Sequence, residues 1–222
     1  MDRIILIGGG PHAEVVADIV EQEGRFEIIG ITDTAREVGD AFLDWKVIGH
    51  QEEIAGLIEK HDIVGGIVCV GDNYLREKVA DLVRAQAPGF RFVTAIHPSV
   101  AISRDVEIGE GSVVMPGCAI NIGARVGRFC IINTNSSLEH RSTMADFSTL
   151  SAGVTTGGYF RLGRYSALAL GVTVLDRVSV GQNVVVGSGS LVMKDTEDDV
   201  LMYGSPARVI RARRPGEPFL KS

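Results

Sequence analysis

The sequence predicts two joined architectures. Residues 1–97 read as a small Rossmann-like α/β domain with a parallel sheet and outer helices, and residues 98–200 as a parallel β-helix of hexapeptide repeats. Three observations carry this. From Ile102 to Val192 an aliphatic residue returns at every sixth position without one insertion, at fifteen of sixteen sites, Thr156 being the exception. A second period of 18 is superimposed, with Gly109, Gly127, Gly163 and Gly181 each following its aliphatic residue and Ala145 in the middle slot. Before residue 100, short apolar runs alternate instead with helical spacings.

The first domain is read in order. Residues 3–7 form an apolar strand that runs into Gly8-Gly9-Gly10-Pro11-His12-Ala13. Residues 12–23 then show helical spacing, with Val15, Val16, Ile19 and Val20 on one face. A second strand, residues 26–32, ends at Asp33, and a helix over 52–60, a strand over 63–70 and a helix over 74–85 follow. A last strand, residues 90–96, runs into His97-Pro98. Such β-α alternation predicts parallel strands covered by helices.

In the repeats, the position two residues before each aliphatic is also restricted. It reads Val100, Val106, Ser112, Cys118, Ala124, Cys130 and onward, and only Phe160 is neither small nor β-branched. Alternate inward residues of a short strand give this spacing. Three hexads make one coil, so each strand pairs with its equivalent 18 residues on, about 4.8 Å away. The section is triangular.

Composition narrows the function. The 222 residues are 45% hydrophobic and 23% charged, which excludes a disordered or collagen-like chain. Net charge is −6, with −8 in residues 1–100 and +4 in residues 200–222, so 201–222 reads as a basic tail on an acidic body. An acidic body argues against nucleic acid as a partner. Cys69, Cys118 and Cys130 cannot all pair and form no CxxC, which points to a reducing compartment and no structural zinc. With one histidine among the repeats, a metal in the solenoid lacks its ligands. The apolar stretch of MDRIILIGGG is too short for a signal peptide, and no run reaches the roughly 18 residues of a membrane span. A cytoplasmic protein is the expectation.

Gly8, Gly10 and Ala13 fit G-x-G-x-x-A between strand and helix, and Asp33 lies 20 residues beyond Ala13. Free amides at such a turn face an anion. An NAD-dependent oxidoreductase is one reading, but about 95 residues hold only one and a half mononucleotide units. A nucleotide-sugar diphosphate needs one half. Val70-Gly71-Asp72-Asn73 is a second strand-to-loop junction and, with Gly10–His12 and Asp33, outlines a pocket. His140 is the one histidine of the repeats, beside Glu139 and one hexad after Asn133. An imidazole with a pKa near about 6.5 suits a general base, and an ordinary surface histidine is the plainer alternative.

With these residues in hand, the sequence resembles the two-domain hexapeptide-repeat sugar acetyltransferases. That family includes the bacillosamine and perosamine N-acetyltransferases and the sialic-acid O-acetyltransferase group. The likeness rests on Gly-Gly-Gly-x-His-Ala, Val70-Gly71-Asp72-Asn73, Ile96-His97-Pro98-Ser99, Ile132-Asn133-Thr134, Leu138-Glu139-His140 and Gly204-Ser205-Pro206-Ala207-Arg208, in that order.

The resemblance implies a homotrimer of left-handed β-helices, with acetyl-CoA between neighbouring subunits and a nucleotide sugar on the N-terminal domain. It places Gly10, Pro11 and His12 on the diphosphate or sugar, Asp33 and Thr34 on the nucleoside and Gly71 on the nucleotide. Asn133 would place the acceptor, Glu139 polarise the base and His140 be that base. Thr149, Gly158, Leu170 and Arg208 would meet acetyl-CoA, Gly158 through an amide aimed at the oxyanion. The implied reaction acetylates the amine of a nucleotide-linked 4-amino-4,6-dideoxy sugar for bacterial glycan synthesis, without a metal. Two positions depart from the family: Arg141 follows the histidine where an acid is common, and Thr149 stands near a slot where relatives often carry a CoA-contacting histidine. O-acetylation of a sialic-acid-like sugar is therefore the alternative. Arg208, Arg211, Arg213 and Arg214 are candidates for the CoA 3′-phosphate.

Overall fold

β-branched apolar runs build the centre of the first unit. The computed structural model describes residues 1–219 and divides after Pro98 into two units. In the first, β1 (Asp2–Ile7), α1 (Pro11–Glu23), β2 (Phe26–Thr32), β3 (Ala41–Phe42), β4 (Trp45–Gly49), α2 (Ile54–His61), β5 (Gly65–Val68) and α3 (Asn73–Gln86) follow one another. The sheet order is β3-β4-β2-β1-β5, parallel except for the edge strand β3. Ile4, Ile5, Leu6 and Ile7 of central β1 are wholly buried, as a strand covered on both faces requires. α1 turns Ala13, Val16, Ala17, Ile19 and Val20 inward and leaves Val15 exposed, so the apolar face expected of it is shifted by one residue.

Two elements differ from expectation. The β3–β4 hairpin lies where the sequence carries no hairpin punctuation, because its turn uses Leu43 at φ 48° rather than glycine or asparagine. Residues 90–96 do not form one strand. β5 is four residues long and offers pairing only near Gly66, so Phe92 makes a single bridge there and a separate strand covers Ala95–Ile96.

The second unit is built from sixteen two-residue strands, Ala101–Ile102 to Leu191–Val192, each ending on a member of the six-residue row. Every strand pairs in parallel with its equivalent 18 residues away, as Ile120 does with Ile102 and Leu138. Three ladders result, and from Val114 onward the six-residue row fills the space they enclose. The small inward row includes buried serines that bridge successive coils. Ser142 Oγ donates to Gly157 O and accepts Phe160 N–H, so the hydroxyl is satisfied inside the coil. From Asp105 to Gly189, one residue in every hexad takes a positive φ and turns the corner. At one corner Phe129 and Phe147, 18 apart, stack with ring centroids 4.9 Å apart.

The segment expected as a basic tail from 201 is folded. Val200–Gly204 pairs in parallel with Val185 and Val186, and Ala207–Ala212 returns antiparallel beside it. Residues 220–222 of that segment lie outside the described residues.

Candidate active site

Gly10–His12, Asp33 and Gly71 all lie at the carboxyl ends of the parallel strands β1, β2 and β5. Gly9 N–H donates to Asp33 Oδ2 at 2.6 Å, and Asp33 Oδ1 accepts Ala35 N–H at 2.7 Å. A Cβ on Gly9 would stand 2.6 Å from that Oδ2, so the loop reaches the carboxylate only as glycine. Asp33, expected on the nucleoside, thus braces the glycine loop here, with exposed Thr34 beyond it. Gly10 precedes α1, its carbonyl accepts Ala13 N–H at 2.9 Å, and Pro11 opens the helix.

His12 follows with its Nε2 buried and unpartnered among the described residues. Burial, and secondarily the Arg76 charge, push its pKa down to about 4, so the ring is neutral at pH 7. Gly71 stands at the end of β5's connection, held from behind by Arg76. The guanidinium donates to Val70 O at 2.9 Å, Gly71 O at 2.8 Å and Asn73 Oδ1 at 2.6 Å. Asp72 Oδ1 accepts Leu75 N–H at 3.0 Å and caps α3. Arg76 has no signal in the sequence: a cation in the first turn of a helix ordinarily reads as part of a solvated face.

In the second unit, Glu139, His140 and Arg141 form the corner after Ser137–Leu138. Thr156, the single break in the aliphatic row, explains itself here, since its Oγ1 accepts Glu139 N–H at 3.1 Å. His140 is half exposed, and its Nδ1 lies 3.8 Å from Glu139 Oε2, close enough for attraction but outside hydrogen-bond reach. One coil on, Gly158 lies against the imidazole: a Cβ there would stand 2.3 Å from His140 Cε1. Tyr159 meets the ring edge-on at 5.3 Å and donates its N–H to His140 O, while the Arg177 guanidinium sits over the tyrosine at 4.4 Å. Tyr159, Asp176 and Arg177 are found by adding 18 and 36 to positions 140 and 141, a use of the coil period that sequence reasoning missed.

One expected role meets a competitor in this geometry. Gly158 N–H, expected free for an oxyanion, donates to Asp176 Oδ1 at 2.7 Å. The Asp176 side chain on the next coil is within reach and takes it. Asn133 sits at the other corner bounding Ser137–Leu138, with its Nδ2 donating to Leu150 O at 2.9 Å. Thr149 is buried within its ladder, whereas Leu170 is 59% exposed at a corner. Arg208 lines a pocket of about 410 Å³ with Lys194, Met193, Met202 and Pro206. Two others of the arginine cluster are occupied: Arg211 and Arg213 pair with Glu217, which also accepts the Arg214 backbone N–H. Cys118 and Cys130 are buried, and burial raises the Cys118 thiol pKa. Among the described residues no group of three His, Cys, Asp or Glu is placed to hold a metal ion, and no helix is long and apolar enough to cross a membrane.

Residues 3–83 match the family described as the PglD N-terminal domain. Over 94% of this chain and 97% of the other, the structure is similar to a crystal structure of a histidine-to-alanine mutant of GDP-perosamine N-acetyl transferase from Caulobacter crescentus in complex with CoA and GDP-perosamine, with 32% identity and a TM-score of 0.88. UDP-N-acetylbacillosamine N-acetyltransferase of Bacillus subtilis is 29% identical over 115 residues, 52% of each chain. Serine acetyltransferase 2 of Arabidopsis thaliana is 30% identical over 126 residues, 56% of this chain and 34% of that protein. The chain thus spans about a third to about a half of the length of these two curated relatives. Fold and likeness together define a class, the acetyl-CoA-dependent acyltransferases built on a left-handed β-helix. Within that class, the chain belongs to the family of two-domain hexapeptide-repeat sugar acetyltransferases.

Proposed function

We propose that this chain transfers acetyl from acetyl-CoA to the amino group of a nucleotide-linked amino-sugar, a 4-amino-4,6-dideoxy sugar, with His140 as general base. The carrying observation is the His140 corner: a half-exposed imidazole seated against a side-chain-free Gly158 and flanked by the Glu139 carboxylate. His140 removes a proton as the amine nitrogen attacks the thioester carbonyl; the new C–N bond forms, the C–S bond breaks, and the proton passes to the departing CoA thiolate. Glu139, with its carboxylate 3.8 Å from Nδ1, is the polarising group beside this base. No covalent enzyme intermediate is needed, in keeping with the burial of Cys118 and Cys130.

The first unit holds the nucleotide sugar through Gly10, Pro11, His12 and Gly71, with Asp33 and Thr34 on the nucleoside side. Use of the Gly158 amide for the oxyanion requires the Asp176 carboxylate to turn away first. The Lys194–Arg208 pocket supplies two cations that suit the phosphates of CoA, and Thr149 and exposed Leu170 are assigned to the same cofactor by the family resemblance. Asn133 places the acceptor from a neighbouring copy in a homotrimer, a reading supported by exposed Ile122, Leu170, Leu175 and Met193 on the solenoid. The enzyme works in the cytoplasm.

A second reading, O-acetylation of a sialic-acid-like sugar, is favoured by Arg141 in the position after the base and by the serine acetyltransferase likeness. Thiol release from acetyl-CoA separates the two. UDP- and GDP-linked 4-amino-4,6-dideoxy sugars are offered to wild type and to His140→Ala, beside a sialic-acid-like hydroxyl acceptor. Release with an amino-sugar that falls by roughly 10²–10⁴ in the variant supports the amine and the base together. Release only with the hydroxyl acceptor selects the second reading, and undiminished release from His140→Ala refutes the base.

A further inference from the structure

We infer that Arg76 is a positioning residue of the nucleotide-sugar site, holding the Val70 and Gly71 carbonyls inward so that the Gly71 and Asp72 amides face the diphosphate. This rests on the function proposed above and adds a residue that neither the glycine loop nor the resemblance singles out.

Arg76 is 1% exposed. Taking a guanidinium out of water is costly unless its donors are met, and for stability alone an apolar side chain of similar size would serve as well. It donates to two consecutive loop carbonyls and to the Asn73 amide oxygen, so the fork of Nη1 and Nη2 fixes the course of residues 70–73. A trans peptide carries its N–H opposite its C=O. Turning the Val70 carbonyl toward Arg76 therefore turns the Gly71 N–H away from it, and turning the Gly71 carbonyl does the same to the Asp72 N–H. Neither amide donates to a backbone acceptor among the described residues.

The loop stands beside the glycine loop of β1: a Cβ on Gly8 would lie 3.3 Å from Cys69 O and 3.4 Å from a Val70 methyl. His12, with its buried and unpartnered Nε2, lies in the first turn of the adjoining helix. The Asp72 carboxylate is turned back onto α3 through Leu75 N–H. Two outward amides with a fixed cation behind them are complementary to a nucleoside diphosphate. Arg76 itself stays behind the loop and does not touch the ligand. Its charge reaches His12 as well, helping to keep that ring neutral.

The test is calorimetric titration of UDP, GDP and dTDP into the full chain and into Arg76→Lys, with steady-state kinetics on both. Lysine keeps the charge but, as a point donor, cannot fork to two carbonyls and Asn73 at once. Arg76→Lys is expected to weaken nucleoside diphosphate binding and raise the nucleotide-sugar KM by about tenfold, with the acetyl-CoA KM within about twofold. A merely structural role would instead lower kcat through the folded fraction and leave both KM values alone, and that result, or wild-type affinity in Arg76→Lys, overturns the inference. Should Arg76→Lys fail to fold, Asn73→Ala removes one anchor of the guanidinium: a loss of about threefold in nucleotide affinity supports the inference, and none overturns it. A wild-type chain that binds none of the three diphosphates refutes the nucleotide-sugar reading itself, and this inference with it.

Discussion

Acidification should destabilise the first unit through His12. Its imidazole has a pKa of about 4 in the fold against 6.5 in an open chain, lowered by burial first and by Arg76 second. The unfolded state therefore binds a proton that the folded state refuses. Stability is full above pH 6.5, falls as pH drops from there, and stops falling below about 4, once both states are protonated. Two and a half units at about 1.4 kcal/mol each give a limiting loss of about 3 kcal/mol, of which about 2 kcal/mol has gone by pH 5. Trp45, the single tryptophan of the chain, lies in β4 of this unit, so its fluorescence during urea titration follows this unit and not the solenoid. The comparison is wild type against His12→Asn, at pH 7 and pH 5. The variant should lose about 2 kcal/mol less than wild type over that interval, whatever its stability at pH 7. Equal losses in the two chains would show that His12 titrates normally and that the burial argument is wrong.

Three further outcomes are expected. Gly158→Ala puts a methyl 2.3 Å from His140 Cε1, so the ring must shift; kcat should fall by roughly 10–100-fold with the chain still folded by circular dichroism. Leu150→Ala empties a wholly buried site within the coils and should cost about 2–5 kcal/mol of solenoid stability in guanidinium unfolding, since stacked coils cannot collapse sideways to fill it. Arg208→Ala should weaken acetyl-CoA binding and reduce its salt dependence, whereas Arg211→Ala should change neither, because Arg211 already answers to Glu217.

The solenoid was legible because its inward positions run in single file. A strand of two residues leaves no freedom of register, so the aliphatic at each sixth site marks the strand itself, and even Thr156 proves to have a task at the Glu139 corner. The period of 18 also carried more than was taken from it, for it aligns His140 with Gly158 and Asp176, and Arg141 with Tyr159 and Arg177. What the period does not hold is the choice of hydrogen-bond partner. That the Gly158 amide goes to Asp176 depends on a side-chain rotamer, and no spacing encodes it. The β3–β4 hairpin was hidden by a turn through Leu43, a residue that ordinarily avoids positive φ. Arg76 was hidden for a related reason: its role comes from burial against loop carbonyls, and burial of a charge contradicts what its residue type suggests.

A stack of identical coils has no natural length. Each coil presents to the next the same row of unpaired amides and carbonyls, and a second solenoid fits that row as well as another coil of the same chain. The C-terminal hairpin settles the count. Val200–Gly204 occupies the open edge at Val185 and Val186, Ala207–Ala212 covers that strand in turn, and Arg208 and Arg211 stand along the new border. On another face, Asp195, Thr196 and Asp198 take the amides of Ser179, Gly181 and Gln182 with side chains instead of a further strand. Two of the three faces at the growing end are thus closed by something other than another coil. A chain cut before Val200 would leave a sticky terminus, and filaments joined end to end are the form its failure would take.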